Sequence, residues 1–247
     1  MKVMLTGYGR MGREIEEVLL GRGHTITARV DIAEGIGDYN DVTPSLLTGC
    51  DMVIEFSLAS AVKPHVQAYS EAGVPVVIGT TGWEDERNTI RDIVAKTGGA
   101  LLWGANFSIG AHILFALASQ AAEITEPLEE YDIFVHEIHH TGKKDSPSGT
   151  ALTLAEKILN GNVRKDKIAT EAFHRQIKPD ELHVSSTRGG SVPGVHSVFL
   201  DSEADTVEIK HTARSRKGFA LGAVKAAEWL KGKKGFFRVE DFIDDLI

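Results

Sequence analysis

Between residues 137 and 159 the chain reads EIHHTGKKDSPSGTALTLAEKIL. Two adjacent histidines, two lysines, an aspartate and a Pro-Ser-Gly-Thr turn are gathered directly before an apolar stretch of helical period. Histidine exchanges a proton near neutral pH. Lysine ammonium groups attract anions, and so does a helix start, through its unpaired N–H groups and positive dipole end. Ser148 is placed to cap the helix, and Gly149 and Thr150 follow it with further donors. Such a set suits a reaction that moves a proton on a substrate carrying carboxylates. Three plainer readings compete. Ser148 can be only an N-cap. Lys143 and Lys144 can form a solvated charged face. His136, His139 and His140 can be metal ligands, but strand alternation sets His136 opposite His139, and no cysteine or acidic set completes a site.

A second group with chemical meaning stands near the start. Gly7, Gly9 and Gly12 have G-x-G-x-x-G spacing, with Tyr8, Arg10 and Met11 between them. A short apolar strand (3–5) precedes them and a helical pattern (11–20) follows, the context in which this spacing binds a dinucleotide. The turn brings backbone N–H groups close to a pyrophosphate at a helix start. Asp31, nineteen residues after Gly12, ends a second strand and is placed to accept hydrogen bonds from ribose hydroxyls. Gly79, Thr80 and Thr81, and then Gly104, Ala105, Asn106 and Phe107, lie at the C-terminal ends of two further predicted strands. In an open parallel sheet that edge faces the ligand crevice, which points to the nicotinamide side of a cofactor. Plain turns and a surface aspartate are the alternative.

These groups need elements to hold them. Strands are expected at 3–5, 25–31, 51–57, 74–82 and 100–108, with helices at 11–20, 59–72 and 85–97 between them. This alternation predicts an α/β, Rossmann-type parallel sheet. After residue 108 the rhythm changes. Helices are expected at 111–124 and 150–159 and strands at 131–138, 183–188, 195–200 and 206–211, the last two pairing as a hairpin. That is an α+β pattern with antiparallel strands. A closing amphipathic helix is expected at 219–230, and FFRVEDFIDDLI reads as a short final helix. The expected division is a dinucleotide-binding domain of residues 1–107 plus 218–247, and a substrate-binding domain of 108–217.

With 247 residues the chain is long enough for two modest domains. A net charge of −8 argues against a general nucleic-acid binder, which needs clustered cations. Cys50, the single cysteine, allows no internal disulfide and fits a reducing, cytoplasmic setting. It reads as a small, partly buried residue rather than a nucleophile. MKVMLTGYGRMG reads as a strand and turn rather than a signal peptide, and no apolar run reaches the length of a membrane span.

The segments GRMG, DMVIEFS, VIGTTG, ANFSIG, EIHHTGKKDSPSGTA and IKHTARSRKGFALGAVKAAEWL span nearly the whole chain in order. They resemble the dihydrodipicolinate (4-hydroxy-tetrahydrodipicolinate) reductases of bacterial and plant lysine biosynthesis, and the histidine-pair-to-PSGT segment is highly specific to that family. The first glycine turn departs from the commoner family form by lacking one residue before GRMG. The resemblance implies NAD(P)H-dependent reduction of 4-hydroxy-tetrahydrodipicolinate to tetrahydrodipicolinate with loss of water, in the diaminopimelate route. It implies a mixed-sheet substrate domain and a homotetramer assembled through it, while the residues themselves give no metal site. It implies that His139 is the catalytic acid/base, that Lys143 is a proton donor, and that His140, Lys143, Ser148, Gly149 and Thr150 hold two substrate carboxylates. The cofactor would rest on residues 7–12, Asp31, 79–81 and 104–107. Asp31, followed by Ile32 rather than a cation, predicts NADH use at least as good as NADPH use, with Arg10 as counterweight. Two rivals are another small-acid dehydrogenase, of aspartate or homoserine type, and a non-catalytic NAD(H)-sensing regulator. The donor-rich second site argues against the regulator.

Overall fold

The computed structural model describes residues 1–247. The elements are β1 (Lys2–Thr6), α1 (Arg10–Gly21), β2 (Thr25–Val30), α2 (Pro44–Leu47), β3 (Met52–Glu55), α3 (Ala59–Glu71), β4 (Val76–Ile78), α4 (Arg87–Thr97) and β5 (Ala100–Trp103). They continue with α5 (Ile109–Thr125), β6 (Asp132–His139), α6 (Gly149–Gly161), β7 (Lys167–Ala169), β8 (Glu181–Arg188), β9 (Val195–Asp201), β10 (Thr206–Thr212), α7 (Lys217–Leu230), β11 (Gly235–Arg238) and α8 (Val239–Asp244). The chain forms two compact units, Met1–Ile109 with Arg216–Ile247, and Gly110–Ser215.

In the first unit the strand runs MVIE, VVI and most of KVMLT and ALLW are buried. Strands buried on both faces need helices on both sides, and a parallel sheet supplies them. The sheet order is β11-β5-β4-β3-β1-β2, with every pair parallel. Strand alternation sends Val3 and Leu5 into one core with α1, α7 and α8, and Met4 into the other with α3 and α4. Strand order reverses between β1 and β3, which opens the ligand crevice at their C-terminal ends, beside Gly7. The expected helix across FFRVEDFIDDLI is corrected. Phe236 and Phe237 lie in β11, parallel to β5, and only Val239–Asp244 is helical. Two adjacent aromatics favour an extended edge strand, and the helical period begins only after them.

The second unit is a mixed sheet of order β10-β9-β6-β8-β7. The β9–β10 hairpin and the β6–β9 pair are antiparallel, whereas β6–β8 and β8–β7 are parallel, which departs from the antiparallel pattern expected from the residues. Helices α5 and α6 cover one face through Leu114, Phe115, Leu154 and Ile158. On β6 the row facing them is Ile133, Val135, Glu137 and His139. Core residues thus give way to ionisable ones along a single buried row. No helix is long and apolar enough to cross a membrane.

Candidate active site

Glu137 is the centre of a buried polar cluster in the second unit, with none of its surface exposed. Its Oε1 accepts from the backbone N–H of Ser148 at 3.0 Å, from Ser186 Oγ at 2.8 Å and from Arg188 at 2.8 Å. Its Oε2 lies 3.1 Å from His139 Nδ1, off the line of a hydrogen bond, and 3.5 Å from His196 Nε2. Burial works to raise this carboxyl's pKa, but contacts from His196, Ser148, Arg188 and Ser186 outweigh it and hold the group well below the usual carboxylate range. Glu137 is therefore an anion in a dry place, stabilised by fixed donors.

His139 is 7% exposed. Burial disfavours its imidazolium, Glu137 opposes that effect, and His196, Lys143 and Arg188 add to it, so its pKa is pushed down to about 4. The free ring is neutral at pH 7. The His196 ring meets it edge-on, with centroids 5.1 Å apart. A Cβ on Gly194 would stand 3.0 Å from His139 Nε2, so the absence of a side chain there leaves that nitrogen room. Glu137, His139 and His196 offer three ligand atoms within 4.8 Å of one another, a spacing usable by a divalent ion. The positive charge beside this carboxylate is, however, already supplied by Arg188, which favours acid–base use of the trio.

Ser148 caps α6, accepting from Ala151 N at 3.1 Å, and its hydroxyl lies 3.2 Å from His196 Nε2. It is 2% exposed. The hydroxyl is thus engaged in the cap and in the histidine cluster, while Gly149 and Thr150 form the more open helix start. The Lys143 ammonium pairs with Asp145 at 2.9 Å and pulls that carboxyl's pKa down against a smaller effect of burial. Arg188 also donates to Asp145 O at 2.6 Å, tying the lysine loop to the strand. His140 is half-buried, and its N–H donates to Val192 O at 2.8 Å. Lys144 is exposed, and His136 bonds Ser185 on the other face of β6.

In the first unit a cradle surrounds the start of α1. Gly7 has φ +86°, and a Cβ on it would stand 2.0 Å from Phe56 O; one on Gly12 would stand 2.4 Å from Gly7 O. Only glycine allows this close turn. No side chain caps α1 at Gly9, so its first N–H groups are left for a ligand. Asp31 accepts from Tyr8 N at 2.7 Å and from Ala33 N at 3.0 Å, which fastens the glycine turn to the end of β2. Arg13 and Arg29 stand over the Tyr8 ring, and Tyr8 bonds Glu16. Arg10 is exposed. Thr80 Oγ1 accepts from Ser57 N at 2.8 Å, joining the exits of β3 and β4, and Thr81 is exposed beside it. Asn106 accepts from Ser108 N at 2.9 Å, while Gly104 and Phe107 are buried and Ala105 is exposed. This uncapped glycine turn fits a dinucleotide pyrophosphate. Cys50 is half-buried, and burial pushes its thiol up.

The structure thus gathers His139, Lys143 and Ser148 near one another, with His140, Gly149 and Thr150 on the same loop and helix start. It also gathers the glycine turn with Asp31. Glu137, Arg188 and His196 escaped sequence reasoning. Strand alternation was a usable signal for Glu137, two residues before His139. Arg188 and His196 come from other strands and carry no local signal.

Comparison with known proteins matches the chain to two family models, "Dihydrodipicolinate reductase, N-terminus" over residues 1–107 and "Dihydrodipicolinate reductase, C-terminus" over 110–243. A 4-hydroxy-tetrahydrodipicolinate reductase of Christiangramia forsetii is 40% identical over 246 residues, covering 100% of this chain and 99% of the relative. One from Natronomonas pharaonis is 36% identical, covering 98% and 100%. Among solved structures, the dipicolinate-bound dihydrodipicolinate reductase of Paenisporosarcina sp. TG-14 superposes with TM-score 0.78 at 19% identity, covering 96% of this chain and 97% of that one.

Proposed function

The chain belongs to the dihydrodipicolinate reductase family, and from that premise we propose which of its residues bind, orient and protonate the substrate. The reaction is the NAD(P)H-dependent reduction of 4-hydroxy-tetrahydrodipicolinate to tetrahydrodipicolinate with loss of water, in the diaminopimelate route to lysine. When bound, the nicotinamide cofactor supplies the hydride. Its pyrophosphate would lie on the turn from Gly7 to Gly12, its ribose at Asp31, and its nicotinamide by Gly79, Thr80, Thr81 and residues 104–107.

In the second unit, Lys143, His140, Gly149 and Thr150 hold the two substrate carboxylates, and Ser148 keeps the helix start in place. A substrate carboxylate takes over from Asp145 as the partner of the Lys143 ammonium. Fixing the ring by both carboxylates removes much of the orientational cost of the transfer. Reduction of the conjugated ring leaves an enamine-like carbon that needs a proton. His139 supplies it, with Lys143 as second donor. The free ring is neutral, but two carboxylates beside it favour the imidazolium, so its proton is taken up as the substrate binds.

Asp31, with Ile32 beside it, would repel a 2′-phosphate, and Arg10 is the exposed cation that could offset this. NADH is therefore used at least as well as NADPH. A homotetramer in the cytoplasm completes the proposal. The open edge strand β10, with Val207 48% exposed, is compatible with assembly through the second unit, and sedimentation would read the mass.

The observation that carries the reading is His139 held beside a buried carboxylate, with Lys143 near enough to act on its charge. The test is NADH oxidation with freshly generated synthase product. His139→Gln should lower kcat by about 10²–10⁴-fold and change KM far less. An unchanged kcat would remove His139 from the chemistry.

A further inference from the structure

We infer that Glu137 and His196 are positioning residues for His139, the carboxylate fixing which ring nitrogen faces the reaction and the second ring opposing the carboxylate's pull on the proton. This rests on the proposed role of His139 and concerns how that role is set.

The carboxylate beside the ring favours one tautomer of the neutral imidazole. Nδ1 lies 3.1 Å from Glu137 Oε2, and that oxygen has no hydrogen-bonded partner. An anionic oxygen this close to Nδ1, even off the hydrogen-bond line, attracts the ring proton to that nitrogen rather than to Nε2, so the ring proton sits on Nδ1. Nε2 then carries the free lone pair and is the atom that takes up and delivers the catalytic proton. Glu137 cannot turn away, because its other oxygen is held by three donors from two segments: Ser148 N–H at the start of α6, and Ser186 and Arg188 on β8.

The charges around the ring come from every element packed against it. Glu137 on β6 favours the imidazolium, whereas His196 on β9, Lys143 in the loop and Arg188 on β8 oppose it. His211 on β10 pairs with His196 in register and acts on that ring rather than directly on His139. Glu137 and His196 therefore act in opposite senses on the same proton. Burial is the largest influence against the imidazolium, and His196 adds to it while Glu137 offsets it.

Two measurements test this. The first uses histidine labelled with ¹⁵N, which reads the protonation of each ring nitrogen in the uncomplexed protein. Wild type should show His139 protonated on Nδ1 and bare on Nε2; the reverse pattern overturns the inference. The second is the pH profile of kcat, following the limb that His139→Gln abolishes. Glu137→Gln should move that limb to lower pH by about one unit or more, because a charge this close is worth about 1–3 units. His196→Gln should move it to higher pH. Glu137→Asp, which keeps the charge, should restore the limb's position even where rate is lost, and it serves if the Gln variant does not fold. If both Gln variants leave the limb in place, Glu137 and His196 are structural only and the inference is wrong. If His139→Gln itself retains wild-type kcat and profile, the proposed role of His139 fails instead, and the ¹⁵N result still decides the tautomer.

Discussion

Replacing His139 by Gln should remove the loss of stability on mild acidification that is linked to this ring. The folded protein holds this ring at about 4 against an ordinary 6.5. Between those values the unfolded chain binds a proton that the folded chain refuses. The unfolded state thus carries more protons, and stability rises with pH in this window. The contribution is fully present above about pH 6.5 and is lost as pH falls toward about 4. At about 1.36 kcal/mol per pH unit, the whole interval corresponds to about 3 kcal/mol. Between pH 7 and pH 5 the linked loss is about 2 kcal/mol, since the unfolded-state titration is nearly complete by then. The side chain is 9% exposed, so solvent screening removes little of this. His211 is also pushed down by burial, but it is present in both proteins and its slope cancels. Glu137 lies well below the usual carboxylate range and stays ionised throughout the window. Urea unfolding of wild type and His139→Gln at pH 7, 6 and 5 provides the comparison. Wild type should lose about 2 kcal/mol more than the variant between the extremes. Parallel declines would refute the reasoning, because they would mean that burial does not hold this ring neutral.

Other outcomes follow from the two units. Lys143→Ala combined with Thr150→Ala should weaken calorimetric binding of pyridine-2,6-dicarboxylate while leaving NADH affinity nearly intact; equal binding by wild type and the double variant would remove the carboxylate clamp. For the cofactor, kcat/KM with NADH should equal or exceed that with NADPH at fixed substrate. A tenfold advantage for NADPH, about 1.4 kcal/mol, would mean that Arg10 outweighs Asp31.

Most of the first unit was legible because its strands are short apolar runs buried on both faces and separated by helical periods. What escaped were pieces too short to show a period. Lys167–Ala169 is a three-residue strand, and Pro44–Leu47 is a single helical turn. Gly235–Arg238 was absorbed into the helix that follows it, because Phe236 and Phe237 are apolar enough to extend that helix's pattern backwards. The parallel pairing of β6 with β8 was also hidden. A strand's residues report which face is buried but not which neighbour lies alongside, and here α6 and β7 intervene in the chain.

In the site, the parts that share one loop and one helix start were legible. His139, His140, Lys143 and Ser148 fall within ten residues. Glu137 was half legible. Alternation correctly separated His136 from His139, and the same rule, extended one step, places Glu137 on the row of Ile133, Val135 and His139. Arg188 and His196 reach the site only through register, Arg188 opposite His139 on β8 and His196 opposite Glu137 on β9. The same register stabilises the fold around the site. A buried carboxylate without donors would cost several kcal/mol. A slip of either neighbouring strand by one residue would turn its inward side chains to the other face. It would remove Arg188 or His196 from Glu137 and leave the anion uncompensated. The polar end of β6 therefore selects against misregistered pairings of this sheet, and the donors that make Glu137 tolerable in the core are among the groups that set the charge around His139.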